Sequence, residues 1–166
     1  MNTEIRTSVL IVEHHSAVRT ALERVFAREG WTGIGSASLR EAVRSRRRHA
    51  SAVRAVVVDL DVGEESGLAF VSHLRRRSPG LPVIVFTGSD NEQELEASRA
   101  LGVSVYLQKP TACERIVEAV RHAIAETVAD DSLTPRGSGV SSRGREVTSL
   151  LLRSSPPANL QRRNIV

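Results

Sequence analysis

Cysteine is almost missing: Cys113 is the only one in 166 residues. That excludes an internal disulfide framework and any zinc site built from several thiolates. No apolar run approaches the roughly 18 residues that cross a bilayer. The opening MNTEIRTSV also lacks a basic stretch followed by an apolar one. Neither a membrane partner nor a secretory leader is therefore expected, and a cytoplasmic location is. Lysine is scarce in a chain of net charge +4: of 23 basic residues, 22 are arginine and only Lys109 is lysine. What is plentiful is ordinary, 40% hydrophobic and 25% charged residues, which is the composition of a soluble globular domain. The length suits one such domain with a tail.

The positive charge is unevenly spread. Residues 1–128 carry 17 basic and 16 acidic side chains, whereas residues 129–166 carry 6 and 3. A nearly neutral folded part is not a nucleic-acid surface. Its basic clusters, Arg46 to Arg48 and Arg75 to Arg77, fall at two expected helix C-termini, where cations in solvent complement the helix dipole.

Hydrophobic periodicity alternates between two kinds of segment. Val9 to Val12 is a short, continuous, β-branched run of the kind buried on both faces of a sheet. Val18, Leu22, Val25 and Phe26 then line one face of a helix expected to be capped by Ser16 and ended by Gly30. The cycle repeats: a weak strand over 32–36 and a helix over 39–48, a strand over 55–60 and a helix over 68–77, a strand over 83–86 and a helix over 91–101, a strand over 103–107 and a helix from 111 to about 128. Five βα units with short connections predict a doubly wound, five-stranded parallel sheet with helices on both faces.

Open sheets of this kind bind ligands beyond the carboxyl ends of their strands. Those positions hold Glu13, His14 and His15, then Asp59 and Asp61, then Thr87, then Lys109 before Pro110. Crowded carboxylates repel unless a cation neutralises them, so the cluster points to a divalent metal or an ammonium. Oxygen ligands suit Mg2+, which is usually held by one or two carboxylates and phosphate oxygens. A carboxylate nucleophile, a hydroxyl and a compact cation together describe phosphoryl chemistry.

Over residues 8 to 126 the sequence resembles the receiver domain of bacterial two-component response regulators. VVVDLDVGEESGL resembles the acceptor-aspartate segment, VFTGS the strand bearing the phosphate-binding threonine, YLQKP the fifth-strand signature, and VLIVEHHSAVRTALERVF the segment that normally carries two adjacent acids. The resemblance implies a flavodoxin-like sheet of order 2-1-3-4-5. It implies Asp59 as phosphoacceptor, Thr87 and Lys109 as contacts to the phosphoryl group, Thr87 and Tyr106 as the switch pair, and a cis Lys109-Pro110 bond. Metal ligation falls to Glu13, Asp59 and the backbone carbonyl of Asp61. It further implies a sensor histidine kinase or phosphotransfer protein as donor, and a downstream protein on the face of helix four, strand five and helix five, with a homodimer as a further option.

Two positions depart from the family pattern. His14 stands where the second acid normally contacts Mg2+, and loss of that contact is worth up to about 4 kcal/mol at an effective dielectric near 20, about three orders of magnitude in affinity. A weakened Mg2+ site is the expectation, with the Asp61 carboxylate as a substitute ligand. Gly63 stands where many receivers have proline, which predicts a looser loop. Each residue also has a plainer reading: Asp59 an ordinary strand-end acid, Lys109 a solvent lysine, Thr87 a loop cap, Tyr106 strand packing. Cys113 is read as packing. His14 and His15 could join Asp59 around a softer ion such as Zn2+ or Ni2+, but exposed loop histidines without that role are the preferred reading.

Residues 129–166 shift to Ser, Gly and Pro, as a linker does. A receiver over 1–128 and a largely disordered basic tail are expected. LTPR and REVTSLLL faintly resemble the start of an output domain, so the tail reads as a truncated or out-of-frame remnant. The leading function is a response regulator rather than an enzyme. The alternatives are a phosphorylation-independent pseudo-receiver, a small aspartyl-phosphate hydrolase suggested by DLDVG, and a fragment of a transcriptional regulator.

Overall fold

A computed structural model describes residues 7–133, with side chains through residue 130. Five strands, β1 (Ser8–Val12), β2 (Thr32–Ser36), β3 (Val53–Val58), β4 (Val83–Thr87) and β5 (Val105–Gln108), form one parallel sheet in the order β2-β1-β3-β4-β5. Five helices alternate with them: α1 (Ser16–Arg28), α2 (Leu39–Arg48), α3 (Gly67–Arg77), α4 (Glu92–Ala100) and α5 (Cys113–Leu133). The doubly wound expectation holds in type, number and order. The tail beyond 133 lies outside the described residues, and α5 runs on past residue 128.

Successive strand residues point to opposite faces, which splits the core in two. Leu10, Val12, Val56, Val58, Val83 and Val85 meet Ala42 of α2 and Phe70, Val71 and Leu74 of α3. Val9, Ile11, Ala55, Val57, Ile84 and Phe86 meet Leu22 and Phe26 of α1 and Ile116, Val117 and Val120 of α5. A fully buried side chain such as Phe26 contributes about 1.5–3 kcal/mol of transfer free energy. The middle strands are buried on both faces along most of their length, and polar groups gather at their ends, with Arg54 exposed near the amino end of β3 and the site residues beyond the carboxyl ends.

Several local expectations need correction. His15, not Ser16, is the N-cap of α1, in extended conformation and without a side-chain cap. Its imidazole is used elsewhere, as shown below. Cys113 is exposed rather than packed. Arg75 does not sit free in solvent: it donates to the carbonyls of Leu101 (2.9 Å), Gly102 (2.8 Å) and Leu81 (2.7 Å), tying the end of α3 to the turns before β4 and β5. Gly63 takes φ +67°, outside proline's range, and turns the chain so that Asp61 pairs with Ser66 and Val62 with Glu65 in a two-residue hairpin that the sequence did not announce. The Glu65 carboxylate then accepts from the Leu39 amide at 3.0 Å, joining this hairpin to the start of α2.

Candidate functional site

The ends of β1, β3, β4 and β5 lie side by side in the sheet, so the residues that follow them converge. The amide of Asp59 donates to the Val12 carbonyl at 2.9 Å and that of Glu13 to Ser36 at 3.1 Å, continuing the ladder one residue past the strands. This holds Glu13 and Asp59 at 2% and 4% exposure. Gly67 lets α3 press against the acceptor segment: its amide donates to the Leu60 carbonyl at 2.9 Å, and a Cβ there would lie 2.2 Å from the Asp59 carbonyl oxygen.

Lys109 bridges the two buried acids. Its ammonium donates to Glu13 Oε2 at 2.6 Å and to Asp59 Oδ2 at 2.7 Å, with the Phe86 ring centroid 5.0 Å away. Burial alone would lower the lysine pKa, but its hydrogen bonds to Asp59 and then Glu13, with their charges, outweigh it and raise Lys109 above its ordinary value. The solvent-lysine reading is thereby excluded. The second oxygen of Asp59 accepts from the Asp61 amide at 3.2 Å.

Glu13 Oε1 faces the histidines. It accepts from the His15 amide at 2.8 Å and from His15 Nδ1 at 3.1 Å, and His14 Nδ1 lies 3.6 Å away. Both Glu13 and His14 are fixed from behind by Arg19, whose Nη1 donates to their carbonyls at 2.7 and 3.3 Å. Nothing in the spacing of Arg19 marked it as part of this corner.

Thr87 is fully buried. Its register beside Gln108 of β5 sets it at the same sheet edge, its carbonyl accepts from the Lys109 amide at 2.7 Å, and its hydroxyl accepts from the Ser89 amide at 3.2 Å. The loop-capping role and a place at the site coexist in this residue. Tyr106 is half-buried, its hydroxyl donating to the Ser89 carbonyl at 3.4 Å. Burial, followed by the charges of Glu94, Asp59 and Asp90, pushes its pKa up. The Lys109-Pro110 bond is cis. The Asp61 side chain is exposed and is not among the donors that gather here: those belong to Glu13, His14, His15 and Asp59, all within 4.8 Å of one another.

The family model for the response regulator receiver domain matches residues 9–121. This chain belongs to that family. It is 31% identical over 126 residues to the response regulator MprA of Mycolicibacterium vanbaalenii, covering 74% of this chain and 52% of MprA. It is 30% identical over 113 residues to the transcriptional regulatory protein BasR of Escherichia coli, covering 68% and 50%. The receiver thus spans about half the length of the curated relatives it matches. Among solved structures it is similar to the beryllofluoride-activated NtrC4 receiver domain dimer, with TM-score 0.67, 25% identity and coverage of 72% and 98%. The CheY-like receiver from Methanospirillum hungatei matches in fold, with TM-score 0.70 at 18% identity, covering 75% of this chain and 98% of that one. Receiver domains are signalling modules of two-component systems, and no helix among the described residues is long and apolar enough to cross a membrane.

Receiver domains generally hold Mg2+ at an acidic cluster. The donor set of this receiver fits that ion poorly. Mg2+ demands oxygen ligands in near-octahedral array. Here two of the four gathered donors are imidazoles, and one oxygen of each buried acid is already held by Lys109.

Proposed function

We propose that this receiver accepts a phosphoryl group on Asp59 from a histidine kinase or a phosphotransfer protein and passes the signal through a protein contact. The observation that carries this is the Lys109 ammonium on Asp59 Oδ2, with Glu13 as its second partner. An Asp59 oxygen would bond to phosphorus as the phosphorus–nitrogen bond of a phosphohistidine breaks. The bonding pair would remain on the donor's imidazole nitrogen. Lys109 offsets the charge gathering on the phosphoryl oxygens, and the Thr87 hydroxyl, free to turn its hydrogen, donates to one of them.

Reaching the phosphoryl group would shift the Thr87 side chain, whose oxygen now accepts from the Ser89 amide. Tyr106 is bonded to the Ser89 carbonyl, so the change would reach β5 and the face shared by α4, β5 and α5. We assign the downstream partner to that face. The dimeric NtrC4 receiver makes a second copy of this chain a further candidate for it. On this reading residues 1–128 are the signalling domain and 129–166 an appended tail.

Incubation with acetyl phosphate and intact mass measurement tests the proposal. Wild type should gain the mass of one phosphoryl group and Asp59→Asn none. A second reading, a pseudo-receiver that binds its partner without phosphorylation, is favoured by His14 in the acid's place and by Lys109 already holding one oxygen of each acid. Absence of labelling in wild type would establish it over the first.

A further inference from the structure

Within the same pocket, we propose that Glu13, His14, His15 and Asp59 form a site for a borderline transition-metal ion of the Zn2+, Co2+ or Ni2+ class in place of Mg2+. The proposal rests on the reading of this pocket as the acceptor site and names the ion it takes.

Three observations carry it. First, the donor spacing matches small, imidazole-binding ions. Bonds of about 2.0–2.2 Å in tetrahedral array set neighbouring donors about 3.3–3.6 Å apart. Glu13 Oε1 lies 3.6 Å from His14 Nδ1, at that spacing, and 3.1 Å from His15 Nδ1, a hydrogen bond whose proton an arriving ion would displace, and all four residues offer atoms within 4.8 Å. Second, His14 Nδ1 is buried and has no hydrogen-bond partner, although buried polar atoms are almost always satisfied. A neutral His14 with its lone pair at Nδ1 could use that corner to hold a cation. Third, the polar groups divide the corner cleanly. Lys109 takes Glu13 Oε2 and Asp59 Oδ2, while the histidines face Glu13 Oε1, so ammonium and metal need not compete for one oxygen of Glu13.

The corner is also built before any ion arrives. Glu13 is buried, Arg19 clamps the Glu13 and His14 carbonyls, and the two imidazole centroids lie 3.7 Å apart. Imidazole ligands favour Zn2+, Co2+ and Ni2+ over Mg2+, which parts from its water reluctantly. A simple ion pair between a protonated His14 and Glu13 is the competing account, and it requires no metal.

The test uses the full chain, stripped of metal and titrated calorimetrically with ZnCl2, NiCl2 and MgCl2. Wild type should bind Zn2+ or Ni2+ at least about 100-fold more tightly than Mg2+. Because losing one ligand or its support commonly changes affinity about 10–100-fold, His14→Asp should lose at least about tenfold for Zn2+ and gain for Mg2+. His15→Ala should lose a similar factor. His122→Ala, which removes a separate histidine near Glu126, should change nothing. Co2+ should give the intense visible absorption of a tetrahedral site in wild type but not in His14→Asp. Equal affinity for Mg2+ and Zn2+, or Zn2+ binding indifferent to His14→Asp, overturns the proposal. Acetyl phosphate labelling is read separately. Labelling supported by Mg2+ with no site for Zn2+ removes the metal proposal alone, and a His14-dependent Zn2+ site without labelling under any metal removes the acceptor reading alone.

Discussion

Replacing Lys109 by methionine keeps length and apolar stem while deleting the charge that lies 2.6 and 2.7 Å from two carboxylate oxygens. Glu13 and Asp59, at 2% and 4% exposure, recover only a little water in its place. Breaking a buried ion pair from one side typically costs 3–5 kcal/mol, because a charge is left uncompensated. Lys109 retains 20% exposure, so water entering the gap returns part of that, and about 3 kcal/mol remains. For a domain of this size that is a fall in Tm of about 12 °C. Urea unfolding should show the loss as a lower midpoint with unchanged slope. In the Lys109→Met background, Glu13→Gln removes one of two facing negative charges and should restore about 1 kcal/mol or more, although the same change in wild type destabilises. This reversal of sign is a coupling that a double-mutant cycle measures directly. If Lys109→Met were as stable as wild type within about 0.5 kcal/mol, the ammonium would not be what allows the two acids to share this corner, and the account of the site would fail.

Gly67→Ala should cost about 2–3 kcal/mol, because the new methyl would meet backbone, 2.2 Å from the Asp59 carbonyl oxygen and 2.7 Å from the Leu60 Cα; acetyl phosphate labelling should slow as well, and an unchanged midpoint in urea would show that α3 can shift without strain. Alkaline pH should destabilise the receiver. Lys109 and Tyr106 both have folded pKa values raised above their unfolded ones, so their contributions are complete below about pH 10 and fade as pH climbs through the folded values. Thermal melts between pH 8 and 11 should fall for wild type and fall less steeply for Tyr106→Phe. Identical slopes would remove Tyr106 from the explanation.

The sheet could be read from sequence because parallel strands buried on both faces leave continuous apolar runs, and the helices between them keep a 3.6-residue stripe. Val9 to Val12 and Val83 to Phe86 needed nothing more. Strand ends then follow from strands, which is why Glu13, Asp59, Thr87 and Lys109 could be gathered before any coordinates. The contacts made by side chains across loops had no such periodicity. Glu65 reaching the Leu39 amide, Arg19 holding the carbonyls of Glu13 and His14, and Arg75 collecting four carbonyls each depend on a turn geometry that spacing does not encode. The hairpin at Gly63 was missed for the same reason: a positive φ at that position is a turn geometry that a glycine in place of proline does not spell out. His14 and His15 were visible as residues but not as neighbours of the same carboxylate oxygen: His14 is 30% and His15 63% exposed, and their shared approach to Glu13 is a tertiary result.

The single lysine also has a physical explanation in the geometry. Glu13 and Asp59 come from different strands, and the cation that neutralises them must accept a partner on each, at 2.6 and 2.7 Å. A guanidinium is a planar fork suited to both oxygens of one carboxylate, whereas an ammonium is a compact point charge whose three donors can diverge. Two acids held by one lysine leave a donor hydrogen for a third anionic group, and the pair plus lysine retain one net negative charge. An arriving phosphoryl group adds charge of the same sign, so the corner can hold it only if more positive charge arrives or is already near. His14 and His15 border Glu13 on the side Lys109 does not cover, where an added divalent cation would change the local balance from minus one to plus one. With imidazole rather than an acid at position 14, the proposed site differs in the kind of cation suited to that balance, not in the need for one.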